Sequence, residues 1–197
     1  MIAILDSGTA NLTSVAAAFE RMNVPARITA DTADLRAASH VILPGVGSAG
    51  AAMRALADRK LVDVVRSLTQ PVLGICLGMQ ILFDQSEESD GTPCLGLIPG
   101  SVQKLATDSQ TPLPHMGWNK LTLDVPDYAL LRGITDGTYM YFVHSFAAPV
   151  SAATLASCTY GNRFTAMCGV NNFYGCQFHP ERSGEAGARV LKNFVEL

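Results

Sequence analysis

The residue types best suited to chemistry lie in two short strings far apart in the chain. The first is Pro71-Val72-Leu73-Gly74-Ile75-Cys76-Leu77-Gly78-Met79-Gln80. It reads as a short apolar strand, a Gly-x-Cys-x-Gly turn, and a helix from Leu77 to about Gln85. This is the nucleophile-elbow pattern with sulfur in place of a serine oxygen. Gly74 and Gly78 lack a Cβ, so the backbone can turn sharply and its neighbours can pack close. Cys76 is left at the mouth of a helix, where backbone N–H groups and the helix dipole favour a thiolate. A cysteine that merely fills a core gives no reason for the bracketing glycines. The second string is Gly175-Cys176-Gln177-Phe178-His179-Pro180-Glu181, a strand that runs into His-Pro-Glu. Pro180 biases His179 toward extended geometry. Residues two apart in an extended stretch face the same side. Glu181 can then hold one ring nitrogen of His179 and leave the other for Cys76. Nucleophile, base and orienter together form a triad for attack on a carbonyl carbon.

A third string, Gly45-Val46-Gly47-Ser48-Ala49-Gly50, matches G-x-G-x-x-G and invites a dinucleotide reading. The acidic residue that should end the next strand is missing, because Val72 to Ile75 leads into Cys76 instead. The glycines suit an oxyanion hole better, with a second N–H from Leu77, just after the nucleophile. No G-x-x-x-x-G-K-[ST] string is present to seat ATP chemistry.

These groups need a scaffold. The first half alternates apolar strands (Ile2 to Leu5, Val24 to Ile28, His40 to Leu43 stopped by Pro44-Gly45, Val72 to Ile75) with helices. The helices are one after an Asn11 cap with Leu12, Val15, Ala16 and Phe19 inward, one over Ala51 to Leu56, and one over Leu61 to Leu68. Such alternation predicts a parallel sheet covered on both faces, with reactive groups beyond the strands' carboxyl ends. The second half should add antiparallel strands: Leu121 to Leu123, Tyr139 to Val143, Ala153 to Tyr160, Phe164 to Val170 and Phe173 to Phe178. Hairpin turns are expected at Gly161-Asn162 and Asn171-Asn172. A last helix, Gly184 to Val195, would be capped by Ser183 and turn Ala188, Leu191 and Val195 inward. Glu87 to Pro93 and Ala106 to Pro114 read as polar loops.

The 197 residues suit one domain, and 48% hydrophobic residues supply a core. A formal net charge of -3 without a dense basic cluster argues against nucleic acid. The five cysteines, Cys76, Cys94, Cys158, Cys168 and Cys176, include no C-x-x-C pair, so neither a disulfide framework nor a metal site is expected. Reduced thiols, the lack of a signal-peptide pattern and the lack of a long apolar run point to a cytoplasmic protein without a membrane span.

The strings PGVG, GICLGMQ, YFVHSF and QFHPERS, in this order and spacing, resemble the class I (triad-type) glutamine amidotransferases. LDSGTANL near the start and LPHMGWN at Leu113 to Asn119 narrow the likeness to the branch that serves imidazole glycerol phosphate synthesis. The resemblance covers essentially the whole chain. It implies an α/β fold of the flavodoxin-like type, with a mostly parallel central sheet flanked by helices and antiparallel strands added in the C-terminal half. It implies a single domain over residues 1–197, L-glutamine as substrate and no cofactor. It assigns Cys76, His179 and Glu181 to catalysis and Gly45, Val46, Gly47 and Leu77 to the oxyanion hole. Gln80 would hold the glutamine, and Ser145 and Phe146 would bind its α-amino and α-carboxyl groups largely through backbone. Met116, Trp118, Asn119, Tyr141 and Arg182 would face a partner, the (β/α)8-barrel cyclase that uses the ammonia to make imidazole glycerol phosphate and AICAR in histidine biosynthesis. Two positions depart from the family pattern. Phe146 stands where tyrosine is frequent, and Thr9-Ala10 occupies a loop that is often richer in glycine. Two other readings remain: the glutaminase of pyridoxal phosphate or anthranilate synthesis, and a non-catalytic nucleotide-binding module built on Gly45 to Gly50.

Overall fold

The computed structural model describes residues 1–8, 11–106 and 111–197. Thr9-Ala10 and part of the polar loop between Ala106 and Pro114 lie outside the described residues. The elements in chain order are β1 (Ile2–Leu5), α1 (Leu12–Arg21), β2 (Ala26–Thr29), α2 (Thr32–Ala37), β3 (His40–Gly45), α3 (Ala49–Asp58), α4 (Val62–Arg66), β4 (Val72–Cys76) and α5 (Leu77–Gln80). They continue with β5 (Phe83–Ser86), β6 (Thr92–Pro93), β7 (Ile98–Lys104), β8 (His115–Lys120), β9 (Thr122–Leu123), β10 (Tyr139–His144), β11 (Phe146–Ala147), β12 (Thr154–Tyr160), β13 (Asn162–Val170), β14 (Phe173–Cys176) and α6 (Gly184–Val195).

The main sheet has eight strands in the order β2-β1-β3-β4-β14-β13-β12-β9. From β2 to β14 neighbours run parallel, and from β14 to β9 they run antiparallel. This is the expected architecture. Every residue of β1, β4 and β14 is buried, as a parallel sheet covered on both faces requires. Apolar cores fill both faces, one around Phe19, Phe142, Phe178 and Phe194 and one around Leu43, Leu56, Met79 and Phe83.

One pairing decides where the chemistry falls. β14 lies parallel to β4 with Gly175 opposite Gly74 and Cys176 opposite Ile75. The chain beyond β14 therefore leaves the sheet beside the chain beyond β4. On the other side Gly45 of β3 pairs with Cys76. Strand β3 thus runs two residues further than the sequence reading, because Pro44 and Gly45 still match Ile75 and Cys76 in register.

The helix after Cys76 is shorter than expected: it ends at Gln80, not near Gln85. The backbone carbonyls of Ile81, Leu82 and Phe83 accept from the N–H groups of Leu95, Leu97, Ile98 and Gly96. That stitching turns Phe83–Ser86 into a strand of a second, four-stranded sheet in the order β11-β7-β5-β6. Long-range pairing overrides local helix propensity here. The second sheet, including β7 and β11, lay outside the strand candidates, as did β8, which forms a hairpin ladder with β10. The Asn171-Asn172 turn joins β13 to β14 as expected, with Val170 opposite Phe173. Asn11 caps α1 through its side chain. Ser183 does not cap α6 in that way; its hydroxyl has another task, described below. In α6, Leu191 is buried, but Ala188 and Val195 are only half-buried, and Val190 and Phe194 complete the inward face.

The glycines around the elbow are required by contact. A Cβ on Gly74 would lie 2.6 Å from the Gly78 oxygen, and one on Gly78 would strike the Leu43 carbonyl. Gly45 packs against the start of α5 in the same way. We expect Gly78→Ala to cost about 3 kcal/mol of stability, because the obstacle is backbone that cannot rotate away. Gly137→Ala, where nothing lies within 4 Å and φ is +80°, should cost about 1 kcal/mol from conformation alone. Urea unfolding of the two variants checks this, and equal losses would deny the close approach.

Candidate active site

Cys76 ends β4 with φ 54° and ψ −111°. For a residue with a Cβ this is a strained conformation, worth on the order of 1–3 kcal/mol, and it persists because the sheet and α5 fix both sides of it. The turn lifts the side chain off the sheet edge into a cavity of about 300 Å³. With α5 only four residues long, little helix dipole reaches the sulfur. The imidazole that shares its cavity comes from the chain beyond β14.

Past β14, His179 is extended, as Pro180 leads one to expect. Its N–H donates to the Tyr141 carbonyl at 2.9 Å. Ser183 Oγ donates to the His179 carbonyl at 2.7 Å and accepts from the Tyr141 N–H at 3.0 Å. That is the task that takes Ser183 away from α6. The histidine is thus clamped at its backbone to β10. Glu181 lies in a 3-10 turn, Pro180–Arg182, and not on an extended stretch. It still reaches its target: His179 Nδ1 donates to Glu181 Oε1 at 2.9 Å, with the carboxylate 3% exposed. The ring lines the same cavity as Cys76 and interacts with it electrostatically, while the sulfur itself lies 3.7 Å from the Val143 carbonyl oxygen. Burial pulls the His179 pKa down, but its interactions with Cys76 and Glu181 outweigh it and push it up to about 10. The ring is therefore held as imidazolium at neutral pH. Gln177, fully buried, donates from Nε2 to Cys76 Sγ at 3.7 Å.

Val46, Gly47, Leu77, Gln80, Ser145 and Phe146 line the same cavity as Cys76 and His179. Gly45 does not line it; it shapes the turn from below through its contact with α5. Gln80 is buried, and its amide nitrogen donates to the Phe146 carbonyl at 2.8 Å and to Gln177 Oε1 at 3.0 Å. Any bond from Gln80 to a ligand then falls to its amide oxygen. Glu88, absent from the sequence reading, also lines the cavity, and its Oε2 accepts from the Ala49 N–H at 2.6 Å. It sits in what reads as a solvated loop, so no periodicity marks it.

The hairpin of β8 and β10 presents Met116, Trp118 and Tyr139 to solvent, at 61%, 55% and 51% exposure. Tyr141 is half-buried, packs edge-on to Trp118 at 5.9 Å, and has the Arg182 guanidinium 5.7 Å above its ring. These four expected contact residues, Met116, Trp118, Tyr141 and Arg182, do share one surface. Asn119 does not. Side chains alternate along β8, so Asn119 turns away from that face and bonds His115 Nε2 and the Thr159 carbonyl.

Comparison with known proteins adds to the geometry. Residues 3–197 match the family model described as glutamine amidotransferase class-I. The chain is 51% identical over 196 residues to the "Imidazole glycerol phosphate synthase subunit HisH" of Yersinia pseudotuberculosis, covering 100% of this chain and 99% of that protein. The protein of the same name from Escherichia coli K12 is also 51% identical, with the same coverage. Among solved structures, PurLQS from Thermotoga maritima superposes with a TM-score of 0.73 at 19% identity, over 99% of this chain and 97% of that one. That last likeness is one of fold.

The raised His179 pKa has a consequence for stability. The folded ring holds its proton to about pH 10, against 6.5 when unfolded. Its contribution is complete below the unfolded value and is lost as pH rises through the folded one. The buried thiols, with an unfolded value near 9.0, begin to titrate in the unfolded chain as pH 9 is approached, while His115 and His144, with lowered values, stay neutral in the folded chain above pH 7. Between about pH 7 and 8 unfolding free energy should fall more steeply with pH in Cys76→Ser than in the Cys76→Ser, His179→Asn double variant, a comparison that leaves out any proton the sulfur gives up to the ring. Denaturation at a series of pH values checks this; matching slopes would mean the ring is not held protonated.

Proposed function

We propose that this chain, which belongs to the class I glutamine amidotransferase family, is the glutaminase subunit that frees ammonia from L-glutamine for imidazole glycerol phosphate synthesis. One observation carries the reading: a sulfur on a positive-φ elbow that shares its cavity with an imidazole whose Nδ1 is taken by a buried carboxylate. Full-length identity near one half with named subunits of that synthase favours it over pyridoxal phosphate or anthranilate synthesis. A nucleotide module on Gly45 to Gly50 is disfavoured by charge, since the Glu88 carboxylate already occupies the Ala49 N–H where a phosphate would bind.

Glutamine enters the cavity with its side-chain amide toward Cys76. The Glu88 carboxylate suits the α-ammonium group, and the Ser145-Phe146 backbone lies where the substrate's amino-acid end would rest. The thiolate attacks the amide carbon, forming a C–S bond. N–H groups of the Val46-Gly47 turn and of Leu77 receive the developing oxyanion. The His179 imidazolium gives its proton to the nitrogen, the C–N bond breaks, and ammonia leaves a glutamyl thioester on Cys76. The now neutral ring takes a proton from water, the hydroxide adds to the thioester carbon, the C–S bond breaks, and glutamate departs. Glu181 fixes the tautomer throughout and stabilises the imidazolium.

The whole chain is one amidotransferase domain in this reading, and it works in the cytoplasm. Its partner is the (β/α)8-barrel cyclase, docked over Met116, Trp118, Tyr141 and Arg182. Ammonia protonates in bulk water, so release is useful only when that partner is in place. The strained turn at Cys76 and the Val46-Gly47 loop reach their competent geometry in the complex.

Glutamate release by wild type and Cys76→Ser, each with and without the barrel partner and its nucleotide substrate, tests the proposal. Wild type should be stimulated at least about tenfold by the complex. Cys76→Ser should lose on the order of 10³-fold or more in every condition while still binding the partner. A serine variant that keeps its rate rejects the nucleophile, and equal wild-type rates reject the coupling. A chloroketone analogue of glutamine should alkylate Cys76; an unlabelled sulfur would return the chain to a binding role.

A further inference from the structure

Two buried histidines beside the cavity have no part in the chemistry above. His115 on β8 is 3% exposed and His144 on β10 is 6% exposed. His115 Nδ1 meets His144 Nε2 at 2.9 Å. His144 Nδ1 meets the Phe146 carbonyl oxygen at 2.9 Å. Asn119 Nδ2 meets His115 Nε2 at 3.2 Å.

Only one arrangement of protons satisfies this chain, and it can be derived from either end. A carbonyl oxygen can only accept, so His144 carries its proton on Nδ1. Its Nε2 then accepts, so His115 also carries its proton on Nδ1. His115 Nε2 is left as an acceptor and needs a donor beyond it. From the other end, the Asn119 amide is oriented by backbone: Nδ2 donates to the Thr159 carbonyl at 3.0 Å, and Oδ1 accepts from the Lys120 N–H at 2.8 Å. Nδ2 is therefore the donor that His115 Nε2 requires. Burial lowers the His115 pKa to about 4. Burial also lowers His144, to about 3, despite its bond to Phe146. Both rings are neutral at neutral pH, as the chain demands.

The chain ends on the backbone that borders the substrate cavity. The Phe146 oxygen accepts from both His144 and Gln80. The preceding carbonyl, of Ser145, accepts from the Leu105 N–H at 2.9 Å. We propose that His115 and His144 are positioning residues: their fixed tautomers hold the Ser145-Phe146 backbone in the conformation that receives the amino-acid end of glutamine. The inference rests on the glutaminase reading and deepens it. His115 acts two bonds away from the seat. Without its N–H, His144 Nε2 is a buried acceptor with no donor, and the ring keeps only its bond to the Phe146 oxygen. The His144 ring is then anchored at one end only, its Nδ1–H is no longer held on the Phe146 oxygen from the far side, and the seat loosens. The sulfur is spared, because Gln80 keeps its own bond to Phe146 and continues to hold Gln177 against Cys76.

His115→Phe is the informative variant. It removes both ring nitrogens but keeps an aromatic ring between Tyr160 and Phe142, which stack on His115 at 4.1 and 5.0 Å. In complex with the barrel partner, His115→Phe should raise the KM for glutamine about tenfold, the effect of one lost hydrogen bond, and leave kcat within about threefold of wild type. The rate of Cys76 alkylation by iodoacetamide, which ignores the seat, should not change. His144→Leu should show the same rise in KM, and His144→Asn, which can still donate to the Phe146 oxygen, should restore most of it. Imidazole ¹⁵N–¹H correlation spectra should show both wild-type rings as neutral Nδ1–H tautomers, with the His144 Nδ1–H exchanging faster with solvent in His115→Phe. An unchanged KM in His115→Phe, or a fall in kcat alone, overturns the proposal. An Nε2–H ring in the wild type overturns it without any assay of activity. A wild-type complex that does not turn over glutamine would sink the glutaminase reading instead, and the spectra would still judge the tautomers.

Discussion

The parallel pairing of β4 with β14 is the interaction on which the site depends. Neither strand carries a complete catalytic group set. Register alone, Cys176 against Ile75, puts the exit of one strand beside the exit of the other. The sheet is buried on both faces there, so a slip of one residue would send whole rows of apolar side chains the wrong way. The energy that fixes the register is therefore that of the core, and the site inherits its precision from it. The rest is local adjustment: glycines that let α5 approach, and a serine that ties His179 back to β10.

The β8–β10 hairpin shows how one element can serve two surfaces. Alternation sends Met116, Trp118 and Tyr139 outward and His115, Phe142 and His144 inward. The outer side is a contact face in this reading. The inner side packs the core and holds the neutral histidine pair. The two sides are separated by a single strand thickness, so the backbone that would meet a partner also borders the substrate cavity.

That Cys76, His179 and Glu181 would come together was legible in the sequence because chemistry dictates residue type and spacing there. Cys76 between glycines and His179 before Pro180-Glu181 leave few other uses. The alternation of the first half was legible for a similar reason: buried parallel strands must be apolar runs. The second sheet was not, because Phe83–Ser86 carries Asp84 and Gln85 and owes its strand to carbonyls paired with residues 95–98. Glu88 reads as part of a polar loop until the fold brings it to the cavity. Asn119 was placed on the wrong side because a motif names residues and not the face they take; counting in twos from buried His115 would have turned it inward. His115, His144 and Gln177 lie in the quoted strings but carry no assigned role there, since a buried polar group is defined by its hydrogen bonds, which a sequence does not show.

The other four cysteines bear on how such a protein would meet peroxide. Burial raises Cys94 to about 11 and Cys158 and Cys168 to about 12, and Cys176 well above its ordinary value. Oxidants attack thiolates they can reach, and these four offer neither charge nor access. Sulfenic acid chemistry is thereby funnelled to the one sulfur at the cavity, with no accessible second thiol to resolve it as a disulfide. Recovery after an oxidative burst would rest on small reductants from outside the fold.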